Sequence, residues 1–157
     1  MSGLLLSPAP DPAARLTKRF AILSERHGYT VLDRDGFDSF VAAPGASLVL
    51  FAEELEKIPE TWDLTIILPE IVATLELPVR VGILTPETAR WLAPRYGIRI
   101  WPALLALRDG GYLGTLEGLK DWSAYSRSIP ELLAAETSRP PSLVIPLHQA
   151  NASSACH

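Results

Sequence analysis

The chain has 157 residues, of which 48% are hydrophobic and 20% charged, and its net charge is −4. This length and composition indicate one globular domain with a core of its own. The acidic balance, with no basic stripe interleaved with aromatic residues, argues against nucleic-acid binding. No apolar run approaches the roughly 20 residues that span a bilayer, so we expect no membrane insertion.

The two ends of the sequence bear on its compartment. The opening MSGLLLSPAP lacks the basic region and the long apolar region of a signal peptide, so we expect a cytoplasmic protein. The single cysteine, Cys156, excludes an internal disulfide framework. Cys156 lies close to His148 and His157, but no spacing holds these groups in a metal geometry. We expect neither a metal nor a cofactor.

Hydrophobic periodicity and turn residues divide the chain into alternating helices and strands. In chain order they predict a helix over 11–27, a strand over 29–32, a short helix over 35–43, a strand over 47–52, a loop over 53–63, a helix over 64–76, a strand over 79–84, a short helix from 85, a strand over 103–107, a turn at 109–111, a strand over 112–117 and a helix over 121–135. Pro69 falls inside the helix over 64–76 and should kink it.

This order of elements predicts an α/β fold. Helices alternate with strands and a hairpin and a closing helix follow, which gives a mixed central sheet with helices on both faces. We expect residues 1–136 to form one domain with an added N-terminal helix. Residues 137–157 are rich in Ser, Pro and Ala and predict a poorly ordered, flexible tail.

Four features make the chain resemble thioredoxin over roughly residues 29–135. They are a proline at the sixth position of the helix over 64–76, the segment Tyr96-Gly97-Ile98-Arg99 followed by Ile100-Trp101-Pro102, the turn Asp109-Gly110, and Gly118 after the second hairpin strand. The resemblance implies a thioredoxin-like fold in which the Trp101-Pro102 bond is cis.

The resemblance to thioredoxin also shows that the reactive cysteines of that family are missing. Counting back from Pro69, the Cys-x-x-Cys motif of thioredoxins falls on Thr61-Trp62-Asp63-Leu64, which contains no thiol. Disulfide exchange needs a thiolate as the attacking atom. No phosphate-binding glycine loop, nucleophile elbow or paired-His helix is present either. We therefore expect no catalytic residues and no enzyme, although a distant thiol or a carboxylate pair remains an alternative.

A binding role is the remaining interpretation. In this fold the cis-proline loop and the start of the proline-kinked helix form a shallow groove that can hold an extended peptide. Trp62 and Trp101 should lie on its two lips, and aromatic residues are common hot spots. Pro102 belongs to the cis-proline loop and is a further candidate contact. The alternatives are partial core burial for Trp62 and packing beneath the loop for Trp101.

Acidic residues crowd the same end of the predicted fold. Glu53, Glu54, Glu56, Glu60 and Asp63 face only Lys57 within eleven residues. One interpretation is a solvated loop with acids that favour a helix N-terminus. The other is a surface for a basic peptide, which makes Glu53, Glu54, Glu60 and Asp63 candidate contacts beside the two tryptophans.

The segments PETWDLTIILPE and RYGIRIWPALLALRDGGYLG, within a cysteine-free thioredoxin-like body, resemble the hydrogenase expression/formation proteins of the HyaE/HupG type. This resemblance implies a cytoplasmic accessory chaperone in the maturation of an uptake nickel-iron hydrogenase. The implied partner is the precursor of the hydrogenase small subunit, with its twin-arginine signal. A generic thioredoxin-like binding domain with another client is the alternative, and a homo-oligomer stays open.

Overall fold

The computed structural model of the chain describes residues 11–141. Helices and strands alternate along most of this range, as predicted. In chain order they are α1 (Pro12–His27), β1 (Thr30–Leu32), α2 (Arg34–Ala42), β2 (Ala46–Phe51), α3 (Glu60–Ala73), β3 (Val79–Leu84), α4 (Pro86–Leu92), a 3₁₀ turn (Ala93–Tyr96), β4 (Ala103–Arg108), β5 (Gly111–Glu117) and α5 (Trp122–Ala134). This order confirms the α/β class.

The five strands form one mixed sheet in the order β1-β3-β2-β4-β5. β3 runs parallel to β1 and β2, whereas β4 runs antiparallel to β2 and β5. Phe51 at the end of β2 lies between Leu84 and Ala103, and Ala103 lies opposite Glu117. Three connecting segments, 52–59, 98–102 and 118–121, therefore meet at one end of the sheet. We call this the loop end.

Two hydrophobic clusters cover the two faces of the sheet. Leu48 and Leu50 of β2 belong to a cluster with α1, α3 and α5, whereas Val49 and Phe51 belong to a cluster with α2 and α4. Side chains alternate across a strand, so a strand covered on both faces needs a continuous apolar run. The run SLVLFA meets this requirement, and helices cover both faces as predicted.

The Trp101-Pro102 peptide bond is cis, which confirms the expectation from the thioredoxin resemblance. Pro69 lies inside α3, also as expected. The turn at Asp109-Gly110 places both residues at positive φ, which is the backbone conformation that a tight hairpin needs. The positions of proline and glycine in the sequence therefore predicted the hairpin turn and the proline inside α3.

The helix α3 begins at Glu60 rather than at the predicted start, Leu64. The periodicity of apolar residues did not reveal the first turn of α3. The residue at the core-facing position of that turn is Thr61, which is polar and yet fully buried. Glu60 and Asp63 in that turn favour the positive end of the helix dipole.

Pro69 leaves one carbonyl of α3 without a helical partner, and Arg19 of α1 replaces it. Proline has no N–H, so the carbonyl of Thr65 loses the hydrogen bond that it would otherwise accept. The Nη2 of Arg19 donates to this carbonyl at 2.8 Å, and its Nε donates to Thr65 Oγ1 at 3.3 Å. The N-terminal helix therefore docks on α3 through the group that the proline frees.

Residues 135–141 continue past the predicted domain boundary at residue 136 and pack on the body of the fold. The Ser138 N–H donates to the Tyr112 carbonyl at 2.9 Å in an antiparallel bridge. Farther along, a Cβ added to Gly97 would lie 2.0 Å from the carbonyl oxygen of Pro141. We call residues 135–141 the strap. The rest of the predicted tail, residues 142–157, lies outside the described residues.

None of the helices within residues 11–141 has the length and apolar character of a membrane span. The longest of them, α1, has 16 residues, whereas about 20 are needed to cross the hydrocarbon core.

We expect Arg19→Met to lower the free energy of unfolding by about 1–3 kcal/mol, because the buried Thr65 carbonyl loses its donor. In a Pro69→Ala background the helical N–H returns, so the same substitution should cost less and the two effects should not add. Urea unfolding of the wild type, both single variants and the double variant measures this coupling.

Lys18→Met is the matched control, since Lys18 is the exposed neighbour of Arg19 on α1. It should change stability by less than about 0.5 kcal/mol. Additive effects of Arg19→Met and Pro69→Ala would contradict the link between the proline and the arginine.

Candidate partner-binding site

The two positions that hold cysteines in thioredoxins carry Thr61 and Leu64 in this chain. Both side chains are fully buried in the first turn of α3. A hydroxyl and an isobutyl group cannot replace a thiolate as attacking atom, so these positions cannot perform disulfide exchange. Within residues 11–141 no group of three His, Cys, Asp or Glu side chains is placed to hold a metal ion. The functional features left to consider at the loop end are its exposed side chains, which form a surface that a partner can contact.

Glu53 was predicted to lie in an exposed acidic loop, and this exposure is wrong. The residue is only 7% exposed. Arg90 of α4 donates a hydrogen bond to its Oε1, and the Glu54 N–H donates to the same oxygen at 2.8 Å. The Glu53 N–H in turn faces Thr61 Oγ1 at 3.4 Å. The carboxylate therefore ties the segment after β2 to α4 instead of facing a partner.

The other carboxylates of the acidic cluster differ in their exposure and in the cations that pair with them. Glu54 is half-buried and lies between two cations, 3.2 Å from Lys57 Nζ and 3.7 Å from Arg90 Nη1. Three acids are exposed and line the loop and the start of α3: Glu56, Glu60 and Asp63. We call these three residues the acidic surface. It is smaller than the sequence suggested.

Trp62 is partly buried against the cluster that α1 and α3 share. The guanidinium carbon of Arg15 lies 4.6 Å from the centre of the indole, a cation–π distance. A pocket of about 460 Å³ opens beside the indole, and Arg15, Lys18 and Arg19 contribute to its lining. Arg15 also lines a smaller pocket with Trp62 and Glu56, so a basic face of α1 adjoins the acidic surface at Trp62.

Trp101 packs against the opposite cluster, with its ring centre 6.2 Å from that of Phe51. The two predicted lips of the groove therefore lie on opposite faces of the sheet, and both indoles are partly buried. This differs from the prediction because Trp62 belongs to a helix on one face, whereas Trp101 precedes a strand and turns toward the other. Both alternatives weighed for these residues, partial core burial and packing beneath the loop, describe part of what they do.

The cis-proline loop, residues 98–102, is held by Glu117, a residue that the sequence analysis missed. Its Oε1 accepts the N–H groups of Arg99 and Ile100 at 2.6 and 3.0 Å. Pro102 is buried, and its carbonyl accepts the Gly118 N–H at 2.8 Å. The only indication of this role in the sequence is that an acidic residue ends the last strand. The loop is thus fixed by its backbone, while the side chains of Arg99 and Ile100 project outward.

The segment after β5 is fixed in a similar way by Tyr125 of α5. Its hydroxyl accepts the Lys120 N–H at 3.0 Å and lies 3.4 Å from the Gly118 carbonyl, to which it can donate. Burial raises the pKa of Tyr125 above its usual range, although the Lys120 N–H opposes this shift. The hydroxyl therefore stays protonated at neutral pH and remains a donor.

Large apolar side chains stand exposed where these two segments meet. Ile100 is 59% exposed, Leu119 37% and Trp122 44%. Ile100 leans over the start of the β5–α5 segment, because a Cβ added to Gly118 would lie 3.2 Å from its Cγ2. We call Ile100, Leu119 and Trp122 the apolar patch. Periodicity could not reveal it, because the three residues belong to two loops and a helix start.

We expect Arg90→Met to lower the free energy of unfolding by about 1–3 kcal/mol, because the buried Glu53 carboxylate loses a charged donor. Glu53→Gln should cost less, since the amide oxygen can keep the bond from the Glu54 N–H and no charge is left unpaired. Lys57→Met breaks only the exposed pair with Glu54 and should cost less than about 1 kcal/mol. Urea unfolding measures all three; an equal loss for Lys57→Met and Arg90→Met would contradict the role of the buried pair.

The chain is similar to hydrogenase expression/formation proteins over most of its length. It matches the family described as hydrogenase-1 expression protein HyaE over residues 19–125. It is 34% identical over 160 residues to the hydrogenase expression/formation protein HoxO of Cupriavidus necator, covering 99% of this chain and 98% of that protein. With the HoxO protein of Azotobacter vinelandii it shares 36% identity over 118 residues, which is 75% of this chain and 79% of that protein.

Among solved structures, a mutant thioredoxin from Halobacterium salinarum aligns with a TM-score of 0.55 and 18% identity, covering 68% of this chain and 92% of that one. This likeness shows the thioredoxin fold alone. The family match, in contrast, includes both buried positions of the lost Cys-x-x-Cys motif and the whole cis-proline loop. The chain is a member of the HyaE family of hydrogenase expression proteins.

Proposed function

We propose that this protein is a cytoplasmic, redox-inactive accessory chaperone in the maturation of an uptake nickel-iron hydrogenase, and that it binds the small-subunit precursor through its twin-arginine signal. Membership of the family supports the maturation role. The observation that carries the redox-inactive part is the first turn of α3, where Thr61 and Leu64 fill the thiol positions and are fully buried. A fold that has lost both thiols can still present a client surface.

The loop end has the two kinds of surface that such a signal requires. The acidic surface can meet paired arginines in charge-assisted, bidentate hydrogen bonds. The apolar patch can take the hydrophobic stretch of the signal. Of the residues predicted from sequence, we propose Glu54, Glu60, Trp62, Asp63 and Trp101 as contacts. Glu53 and Pro102 act instead by holding the two segments in place.

The strength of the charged contacts sets what a test should show. Exposed ion pairs contribute only about 0–1 kcal/mol each, so no single carboxylate should dominate binding. Their attraction is screened beyond roughly 8–10 Å at physiological ionic strength, so binding should weaken as salt rises. The apolar contact should be less sensitive to salt and should supply the rest of the affinity.

We expect the triple variant Glu56→Lys, Glu60→Lys and Asp63→Lys to lose most of its affinity for a synthetic twin-arginine signal peptide while it remains folded. All three positions are exposed, so the fold does not depend on their burial. Glu53 is left unchanged because it is buried. Titration calorimetry at low and moderate salt measures the effect, and circular dichroism confirms folding.

The matched control is Glu25→Lys, Glu131→Lys and Glu136→Lys, which reverses three exposed acids on α1 and near the end of α5. It changes the net charge by the same amount as the first triple does but leaves the loop end untouched. If both triples bound the peptide as the wild type does, with no salt dependence, the acidic surface would have no part in recognition.

A second expectation concerns redox chemistry. The protein should not accelerate thiol-dependent insulin reduction, because a thiolate is missing from the α3 positions. Cys156, which lies outside the described residues, should be dispensable, so Cys156→Ser should bind the signal peptide as tightly as the wild type. Insulin reduction above the uncatalysed rate, or a loss of binding in the serine variant, would make the cysteine a functional residue.

A further inference from the structure

The pocket of about 460 Å³ beside the indole of Trp62 has a lining of one charge sign. We call it the basic pocket, and it is lined by Ala14, Arg15, Lys18, Arg19, Ile22 and Trp62. Half of these side chains are positively charged, none is negatively charged, and the others are aliphatic or aromatic. The basic pocket therefore suits a negatively charged group that an apolar group accompanies.

Two of the three cations of the basic pocket are held in place by the fold. The guanidinium of Arg15 lies over the indole of Trp62, and that of Arg19 is bonded to Thr65 of α3. Side chains that are already ordered lose less conformational entropy when a partner binds. Neither Arg15 nor Lys18 forms an ion pair with a carboxylate of residues 11–141. Their charges are therefore open to a partner.

The acidic surface adjoins the basic pocket at Trp62. The smaller pocket that Arg15, Trp62 and Glu56 line has a volume of about 170 Å³. Glu60 and Asp63 belong to the same first turn of α3 as Trp62. In the part of the chain that the structure describes, none of the three carboxylates of the acidic surface forms an ion pair. Unpaired charges of both signs therefore meet at one partly buried indole.

A surface that carries both signs of charge side by side is complementary to its own copy. A twofold axis near Trp62 brings the basic pocket of each chain onto the acidic surface of the other, so every contact is made twice. Arg15 and Lys18 are three residues apart on α1, a rise of about 4.5 Å. Glu60 and Asp63 have the same spacing on α3. A different partner would need both signs of charge in the same arrangement, which a second copy has by symmetry.

We propose that the basic pocket receives the acidic surface of a second copy of this chain, so that the protein forms a symmetric dimer with Trp62 near its axis. Exposed ion pairs are individually weak and are screened by salt, so the dimer is weak and salt-sensitive. It also covers the acidic surface, so a second copy and the signal peptide compete for the same carboxylates. This competition rests on the proposed function, whereas the dimer does not.

Reversal of the charges on each side of the contact provides the test. The pocket variant is Arg15→Glu and Lys18→Glu, and the surface variant is Glu60→Lys and Asp63→Lys; all four positions are exposed. Sedimentation equilibrium from micromolar to millimolar concentration should show dimers of the wild type that weaken as salt rises. Each variant alone should raise the dissociation constant by about tenfold or more, because like charges then face each other. Circular dichroism confirms that both variants are folded.

A mixture of the two variants should restore the association. In the pocket variant both sides of the contact are acidic, and in the surface variant both sides are largely basic, so the two attract each other although neither attracts itself. The matched control is Arg127→Glu and Arg139→Glu, which reverses two exposed arginines elsewhere and gives the same net charge as the pocket variant. It should dimerise nearly as the wild type does.

The indole of Trp62 reports where the contact forms. Its N–H resonance should shift as the wild-type concentration rises, whereas those of Trp91, Trp101 and Trp122 should not. Three results would overturn the proposal: a wild type that stays monomeric up to millimolar concentration, a dimer that both charge-reversed variants keep, or a mixture of the variants that does not associate.

The twin-arginine signal peptide separates this inference from the proposed function. An excess of the peptide should dissociate the wild-type dimer, because both bind the acidic surface. A dimer with the expected response to charge reversal, but without any binding of the peptide, would leave the dimer and remove the proposed client. Binding of the peptide to a chain that is monomeric at every concentration would do the reverse.

Discussion

One backbone carbonyl joins α3 to the N-terminal helix α1. Pro69 frees the carbonyl of Thr65, and Arg19 reaches it from α1. An unpaired buried carbonyl would cost about 1–3 kcal/mol, so the added helix and the proline support each other. The helix α3 that this bond supports carries Thr61 and Leu64 and part of the acidic surface.

The same kind of bond recurs elsewhere in the fold. Arg80 of β3 donates to the carbonyls of Phe40 and Ala43 at the end of α2, and Arg108 of β4 caps the end of α5. A guanidinium presents five donors in a planar fork, so one arginine can serve two helix carbonyls. These cations act on the protein's own backbone. In the acidic cluster that follows β2, by contrast, Glu56, Glu60 and Asp63 are left facing solvent.

Local patterns in the sequence predicted the elements, their order and the burial of β2 on both faces, whereas the cis-proline bond was expected only from the resemblance to thioredoxin. They could do so because periodicity, proline and glycine act over a few neighbouring residues. The side-chain contacts of the site, in contrast, join residues that are far apart in the sequence. Arg90 and Glu53 are 37 residues apart in the sequence, and Glu117 and Ile100 are 17 residues apart. No local sequence pattern contains both members of either pair, so periodicity and turn residues could not predict these contacts. The separation of Trp62 from Trp101 likewise follows from which sheet face each element covers.

The way Glu117 holds the cis-proline loop limits how a client can bind there. An extended peptide that adds to a loop or strand edge does so by main-chain pairing, for which it needs free N–H groups on the host. The N–H groups of Arg99 and Ile100 are both committed to one carboxylate oxygen. At these two positions the loop therefore has no amide to offer a guest backbone. Main-chain pairing at these two positions is therefore limited to the carbonyl groups, so side chains carry a larger share of recognition there and make it more sensitive to the guest's composition.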